Sequence, residues 1–228
     1  MPDTALALPP GTHYRDGWVW PIADVRGWPV IREEVAHIGE ILAHVPADRR
    51  RVAVQAGGNC GLMVRPLADA FDQVITFEPD ALNFRCLDMN IRDRHVVKVS
   101  ACLGDSREHV GLMGAPDNCG VRRPATKDEE RQFGAGDVPV LLIDEAVEIW
   151  AAWPVDLLML DIEGYELHAL RGAAETIARC RPVIVVELIG QARVYGIEDE
   201  EIVGWLGERG YVCKAQVMRD CVFVWEPD

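Results

Sequence analysis

Short apolar runs that stop at small or acidic residues recur along this chain, and between them apolar positions return at helical spacing. Val52, Ala53 and Val54 predict a buried strand over 51–56. It breaks at Gly57 and Gly58, ahead of a helix over 61–71 that Pro66 delays or kinks. A second strand over 74–78 ends at Glu78-Pro79-Asp80 and leads into a helix over 81–91, with Leu82, Cys86 and Leu87 on one face. A third strand, 95–100, ends at Ser100-Ala101-Cys102. Later, 138–143 reads as strand, 144–150 as helix and 155–161 as a buried strand. Leu167, Leu170, Ala174 and Ile177 then follow at helical spacing. Pro182–Glu187 is a further buried strand, Ile202, Val203 and Leu206 mark a helix over 198–209, and 211–217 with 221–225 read as a closing antiparallel hairpin. Such alternation predicts an α/β fold, a parallel sheet with helices on both faces and few possible topologies.

Two stretches depart from the alternation. Residues 1–12 read as a loose terminus, and 13–29 are dense in aromatics: Tyr14, Trp18, Trp20 and Trp28. These aromatics either cover an edge of the sheet or form a lid over a ligand pocket. A stripe of Val35, Ile38, Ile41, Leu42 and Val45 predicts a helix over 31–45. The expected division is an extension over 1–46, packing on the core or capping the site, and a main domain over 47–228. Residues 105–137 hold glycines, prolines and the charged run Lys127–Arg131 without clear period. They read either as an insertion on the substrate side, partly hairpin, with Arg122 and Arg123 near the site, or as a solvated loop.

With 49% hydrophobic residues, a chain of 228 can bury one substantial core. A formal charge of −14 argues against a nucleic-acid partner or an anionic membrane surface. The seven cysteines are odd in number and include no CxxC pair, so they read as reduced thiols, mostly small core hydrophobes. The N-terminal residues lack the basic and apolar regions of a secretory leader, and no apolar run is long enough to span a bilayer. The expectation is a cytoplasmic protein.

In an open parallel sheet, ligands bind beyond the carboxyl ends of the strands. Here those ends are Gln55–Asn59, Glu78–Asp80, Ser100–Cys102, Asp161–Glu163 and Glu187. Gly57 and Gly58 let the backbone approach a ligand that a side chain would block. Glu78 lies about 20 residues beyond that turn, where an acid meets a ribose diol in nucleotide-binding folds. Two hydroxyl donors match two carboxylate acceptors. One acid at a strand end is usually just solvated; a repeated set is harder to dismiss.

Val-Gln-Ala-Gly-Gly-Asn-Cys-Gly at 54–61 is the first of three motifs. Thr-Phe-Glu-Pro-Asp-Ala-Leu-Asn-Phe at 76–84, with Leu87 and Asn90, is the second. Leu-Asp-Ile-Glu-Gly-Tyr-Glu at 160–166, followed by Leu170 and Gly172-Ala173, is the third. Together, in this order and spacing over roughly residues 50–190, they resemble the FkbM-type S-adenosylmethionine-dependent methyltransferases. The resemblance implies a class I methyltransferase fold: a Rossmann-like, mostly parallel sheet of seven strands with an antiparallel C-terminal strand. It implies S-adenosylmethionine as cofactor and O-methylation of a small molecule, a sugar or secondary-metabolite hydroxyl.

On that resemblance Glu78 takes the ribose, with Pro79 and Asn83 beside it, and Ser100 and Ala101 line the adenine edge. Gly57, Gly58, Asn59 and Gly61 contact the methionine end. Asp161 sits at the reaction centre, gripping the methionine amino group or orienting substrate, and Glu163 and Glu187 are candidate bases. His168 is a weaker one, inside a helical pattern. The family usually has Asp where this chain has Gln55. Gln keeps a hydrogen bond to the cofactor's ammonium but loses the charge, so Gln55→Asp is expected to raise affinity. Asp161, Glu163 and Glu187 would also suit Mg²⁺, which prefers oxygen ligands. Two rivals remain: an NAD-dependent oxidoreductase, although the turn is not GxGxxG, and a non-catalytic cofactor-binding subunit, supported by Gln55 alone.

Overall fold

Residues 7–226 are described by a computed structural model, and seven of its strands form one central sheet. They are β1 (Val52–Ala56), β2 (Gln73–Phe77), β3 (Val96–Val99), β4 (Val155–Leu160), β5 (Val183–Glu187), β6 (Tyr211–Val217) and β7 (Asp220–Trp225). Their order is β3-β2-β1-β4-β5-β7-β6. Pairings from β3 across to β5 are parallel, and β7 runs antiparallel to both β5 and β6. This is the sheet expected from the sequence, closing hairpin included.

Nine helices accompany it among the described residues: α1 (Gly27–Ala36), α2 (Ile38–Leu42), α3 (Val64–Ala70), α4 (Ala81–Asn90), α5 (Lys127–Phe133), α6 (Ile143–Trp150), α7 (Glu166–Arg171), α8 (Ala174–Cys180) and α9 (Asp199–Gly207). The inner strands are apolar at nearly every position because both faces are covered. Val54, Ile75, Leu158 and Ile184 pack towards α6–α9, while Ala53, Val74, Leu157 and Val185 pack towards α2–α4. Gln55, Thr76, Asp156 and Glu187 are buried exceptions, and Asp156 lies at the amino end of β4, far from the others. Arg51 holds it at 2.6 Å from Nη2 and 2.8 Å from Nε, which accounts for the charge structurally.

Several boundaries differ from the sequence reading for identifiable reasons. The helix expected over 31–45 begins at Gly27, with Pro29 in its first turn, and is interrupted at His37. The helix after β4 is split into α7 and α8 at Gly172, where a Cβ would lie 2.0 Å from the Gly104 carbonyl oxygen. The strand expected over 138–143 is Val138–Leu141, and it lies outside the central sheet. It pairs with Cys102–Leu103 and His109–Val110 in a separate three-stranded sheet. Pro139 is the signal, since a proline cannot donate within a central strand. The charged run in the 105–137 excursion forms α5, started by a capping box between Thr126 and Glu129.

The loose terminus expected over 1–12 falls outside the described residues for 1–6, and Thr12–Arg15 pairs with Trp18–Pro21 in a hairpin. Cys60, Cys86, Cys102 and Cys119 are buried, whereas Cys213 is exposed; all seven cysteines are free. No described helix is long and apolar enough to cross a membrane.

Candidate active site

Strand order reverses between β1 and β4, and a cleft opens there at the carboxyl ends of the strands. Gly57, Glu78 and Asp161, from three different strand tips, all line it. Gly57 has φ +85° and no space for a side chain: a Cβ would lie 2.0 Å from the Asp161 carbonyl oxygen. Gly57 and Gly58 both donate their N–H to the Phe77 carbonyl, at 3.1 and 2.8 Å. Gly58 and Gly61 lie outside the cleft lining, and their smallness serves packing instead. A Cβ would meet Thr76 Oγ1 at 2.7 Å in the first case and Ile91 at 2.8 Å in the second.

Glu78 is 3% exposed. Its Oε2 accepts the Asn59 N–H and its Oε1 the Asp80 N–H, each at 2.7 Å. Burial pushes its pKa up to about 7 against those bonds. Each oxygen keeps lone-pair capacity for a further donor, so a diol can be accepted as well. Pro79 and Ala101 line the cleft beside it. Ser100 does not; it is exposed, and the wall continues through Cys102 and Leu103.

Gln55 lines the cleft but its amide is already engaged. The carbonyl oxygen accepts the Thr76 hydroxyl at 2.5 Å and the NH2 donates to the Ala56 carbonyl at 3.0 Å. Asn83 is buried away from the lining, with its NH2 2.9 Å from the Cys119 carbonyl. The Asn59 amide donates to that same carbonyl at 3.0 Å.

At the other end of the cleft stand Glu34 of α1, Asp161, Glu163 and Glu187, with Gln191 and Arg219. Arg219, in the β6–β7 turn, bonds Glu34 and lies with Nε 3.2 Å from Glu187 Oε1. Gln191 donates to Glu163. Burial, then the charges of Glu187 and Glu163, hold the Asp161 carboxyl well above its ordinary range. Burial likewise raises Glu163 to about 7 and Glu187 to about 8, the latter despite Arg219. Glu163 sits in the left-handed region with φ 59°, the kind of strain a packed surround must hold in place. Glu166, buried on α7, fixes that turn by accepting the N–H groups of Ile162 (3.0 Å) and Gly164 (3.2 Å).

Asp161, Glu163 and Glu187 therefore converge, but around an arginine. Among the described residues no group of three or more His, Cys, Asp or Glu side chains is placed to hold a metal ion, so the Mg²⁺ expectation gains no support. His168 stacks on Tyr165 at 4.3 Å and meets Asp105 at 3.1 Å, away from the cleft lining.

The remaining wall comes from segments the motifs do not cover. Gly27, Val30 and Ile31 of α1 and Asn118–Arg122 of the excursion line the cleft. Trp20 and Trp28 meet edge to face at 4.7 Å in an apolar cluster with Cys60, Cys86 and Cys119. Arg122 Nε lies 3.1 Å from Asp80 Oδ2. Arg219, Glu34, Gln191 and Cys119 carried no strong sequence signal. They reach the cleft through tertiary structure alone.

Residues 40–213 match the family model described as the methyltransferase FkbM domain. Among solved structures, a methyltransferase FkbM from Methylobacillus flagellatus KT is 15% identical with a TM-score of 0.50. The alignment covers 77% of this chain, which spans only 43% of that protein. A magnesium protoporphyrin IX methyltransferase from Synechocystis PCC 6803, with bound S-adenosylmethionine, is 13% identical with a TM-score of 0.44, covering 87% of this chain and 79% of that one. The N-methyltransferase NodS from Bradyrhizobium japonicum WM9 is 12% identical with a TM-score of 0.43, covering 86% and 94%. No curated protein matches the sequence.

Proposed function

Because this chain belongs to the FkbM methyltransferase family, we propose that it transfers a methyl group from S-adenosylmethionine to a hydroxyl of a small molecule or sugar. One observation carries the reading: Gly57, Glu78 and Asp161 line a single cleft at the point where strand order reverses. The residues present suit the cofactor. Gly57 lets two strand tips close on each other at the cleft, since a Cβ there would meet the Asp161 carbonyl oxygen at 2.0 Å, and Glu78 offers two acceptor oxygens where a ribose diol would lie.

When bound, S-adenosylmethionine supplies an electrophilic methyl group on a sulfonium. The chain's part is placement and proton handling. Glu78 accepts the ribose hydroxyls, and Pro79, Ala101, Cys102 and Leu103 flank the adenine side. Gly57 and Asn59 border the path towards the methionine end. Asp161, whose carboxyl makes no hydrogen bond among the described residues, is the carboxyl for the methionine ammonium, ahead of Gln55, which carries no charge and whose amide already bonds Thr76 and Ala56. Glu187 and Glu163, with pKa values near neutrality, are suited to take the proton of an acceptor hydroxyl.

Calorimetric titration with S-adenosylhomocysteine against NAD tests the cofactor, with binding of the first alone expected. Transfer of labelled methyl to hydroxylated acceptors tests the reaction, and a labelled amine product would replace O-methylation.

A further inference from the structure

The cleft wall formed by α1 and Asn118–Arg122 is tied together through one carboxylate. Asp24 is 4% exposed and precedes the residues that match the family, which begin at 40. Its Oδ2 accepts the Trp20 indole N–H at 2.7 Å and the Trp28 N–H at 2.9 Å. Its Oδ1 accepts the N–H groups of Gly27 and Cys119, each at 3.0 Å. The carbonyl of Cys119 accepts the Asn59 and Asn83 amides, at 3.0 and 2.9 Å. The Cys119 backbone is thus gripped on both sides: its N–H by the N-terminal segment, its C=O by the glycine turn and α4. Two residues earlier, the Asp117 carbonyl accepts the Val25 and Arg26 N–H groups at 2.9 and 3.2 Å.

A buried aspartate that only started α1 would need the bonds to Gly27 and Trp28. The bond to Cys119 spans 95 positions and goes to a residue lining the cleft. The four donors stabilise the ionised carboxylate and lower its pKa against the cost of burial.

We propose that Asp24 is a positioning residue for the cofactor: by fixing the Cys119 backbone, it holds Asn118–Arg122 as the wall that closes over the adenosyl group. The N-terminal segment is then part of the cofactor site. The inference rests on the S-adenosylmethionine reading given above.

The test is titration of S-adenosylhomocysteine into the wild type and the variants Asp24→Ala, Asn83→Ala, the double variant and Trp20→Phe, each with a thermal melt. Asp24→Ala is expected to weaken binding by about tenfold or more. Asn83→Ala acts on the same residue's backbone from the other side, so the double variant falls short of the product of the two single effects. Trp20→Phe removes a donor to Asp24 but leaves the Cys119 bond. It lowers the melting temperature and leaves affinity within about threefold.

If Asp24→Ala does not fold, Asn83→Ala against Trp20→Phe decides: at equal loss of melting temperature, only the former weakens binding. Wild-type affinity in Asp24→Ala, or in Asn83→Ala where that variant decides, overturns the inference while the cofactor reading stands. Equal weakening by Trp20→Phe also overturns it, since the effect is then general destabilisation. A wild type that does not bind S-adenosylhomocysteine overturns both.

Discussion

Gly57 and Asp161 meet where the tips of β1 and β4 lie side by side: a Cβ on Gly57 would stand 2.0 Å from the Asp161 carbonyl oxygen, and Gly57 itself holds φ +85°. That contact makes the glycine a requirement of the cleft's floor. Gly57→Ala adds left-handed strain, on the order of 1–3 kcal/mol, to a backbone contact that cannot be relieved by a rotamer. The expected outcome is a large fall in urea stability together with loss of S-adenosylhomocysteine binding. Retained binding would show that the two strand tips separate more readily than their packing implies.

Glu78 gives a pH signature. Burial raises its pKa to about 7, and a diol is accepted best by the ionised form. Below about 7 the proton on Glu78 removes acceptor capacity, so S-adenosylhomocysteine affinity is expected to rise from pH 6 to pH 8. Glu78→Gln should weaken binding by about tenfold or more and flatten this dependence. Calorimetry across that range checks both, and an unchanged slope in Glu78→Gln assigns the titration elsewhere.

The acids around Arg219 control stability in the opposite direction. Burial raises Asp220 to about 6, Glu163 to about 7 and Glu187 to about 8. Each raised carboxyl keeps its proton in the folded state at pH values where the unfolded chain has released it. Their contribution is therefore full below the ordinary carboxylate range and is lost as pH rises towards 8. The ligand-free protein should melt at progressively lower temperature from pH 5 to pH 8, by about 2–4 °C for each kcal/mol lost. Glu187→Gln, neutral throughout, should flatten the upper part of that slope. A melting temperature constant across this range would show that the cluster is less buried than its geometry indicates.

Strand–helix alternation made the central sheet legible because its inner strands are apolar on both faces and stop at a glycine, an acid or, after β3, a serine. Gly57, Glu78 and Asp161 could be located for the same reason. What escaped was set by contacts distant in sequence. Arg219 sits in a hairpin turn that looked merely connective, yet it bonds Glu34, 185 positions away. Cys119 and Asp24 lie in the two stretches without period, and their bond joins them. The α5 helix was legible in principle from Thr126 and Glu129, whose three-residue spacing marks a capping box. Ser100 was misplaced beside the cleft because sequence spacing locates a strand end without saying which of two adjacent side chains turns inward.

Gln55 and Asp161 offer competing anchors for a ligand ammonium, and their hydrogen bonds separate them. The Gln55 oxygen accepts the Thr76 hydroxyl at 2.5 Å, and the residue is 1% exposed. Asp at this position would be one carbon shorter, would forgo the bond to the Ala56 carbonyl and would bury a new charge. Gln55→Asp is therefore expected to lose about 1–3 kcal/mol of stability without tightening cofactor binding, contrary to the expectation drawn from sequence alone. Asp161 lines the cleft from the adjacent strand tip, with its own carboxyl raised by burial and by Glu187 and Glu163. A cation placed among these acids relieves their mutual repulsion, so Asp161→Asn should weaken S-adenosylmethionine binding by about tenfold. The same substitution should weaken binding of decarboxylated S-adenosylmethionine, which keeps the amine, to a similar degree. Tighter binding by Gln55→Asp together with an unaffected Asp161→Asn would return the ammonium to β1.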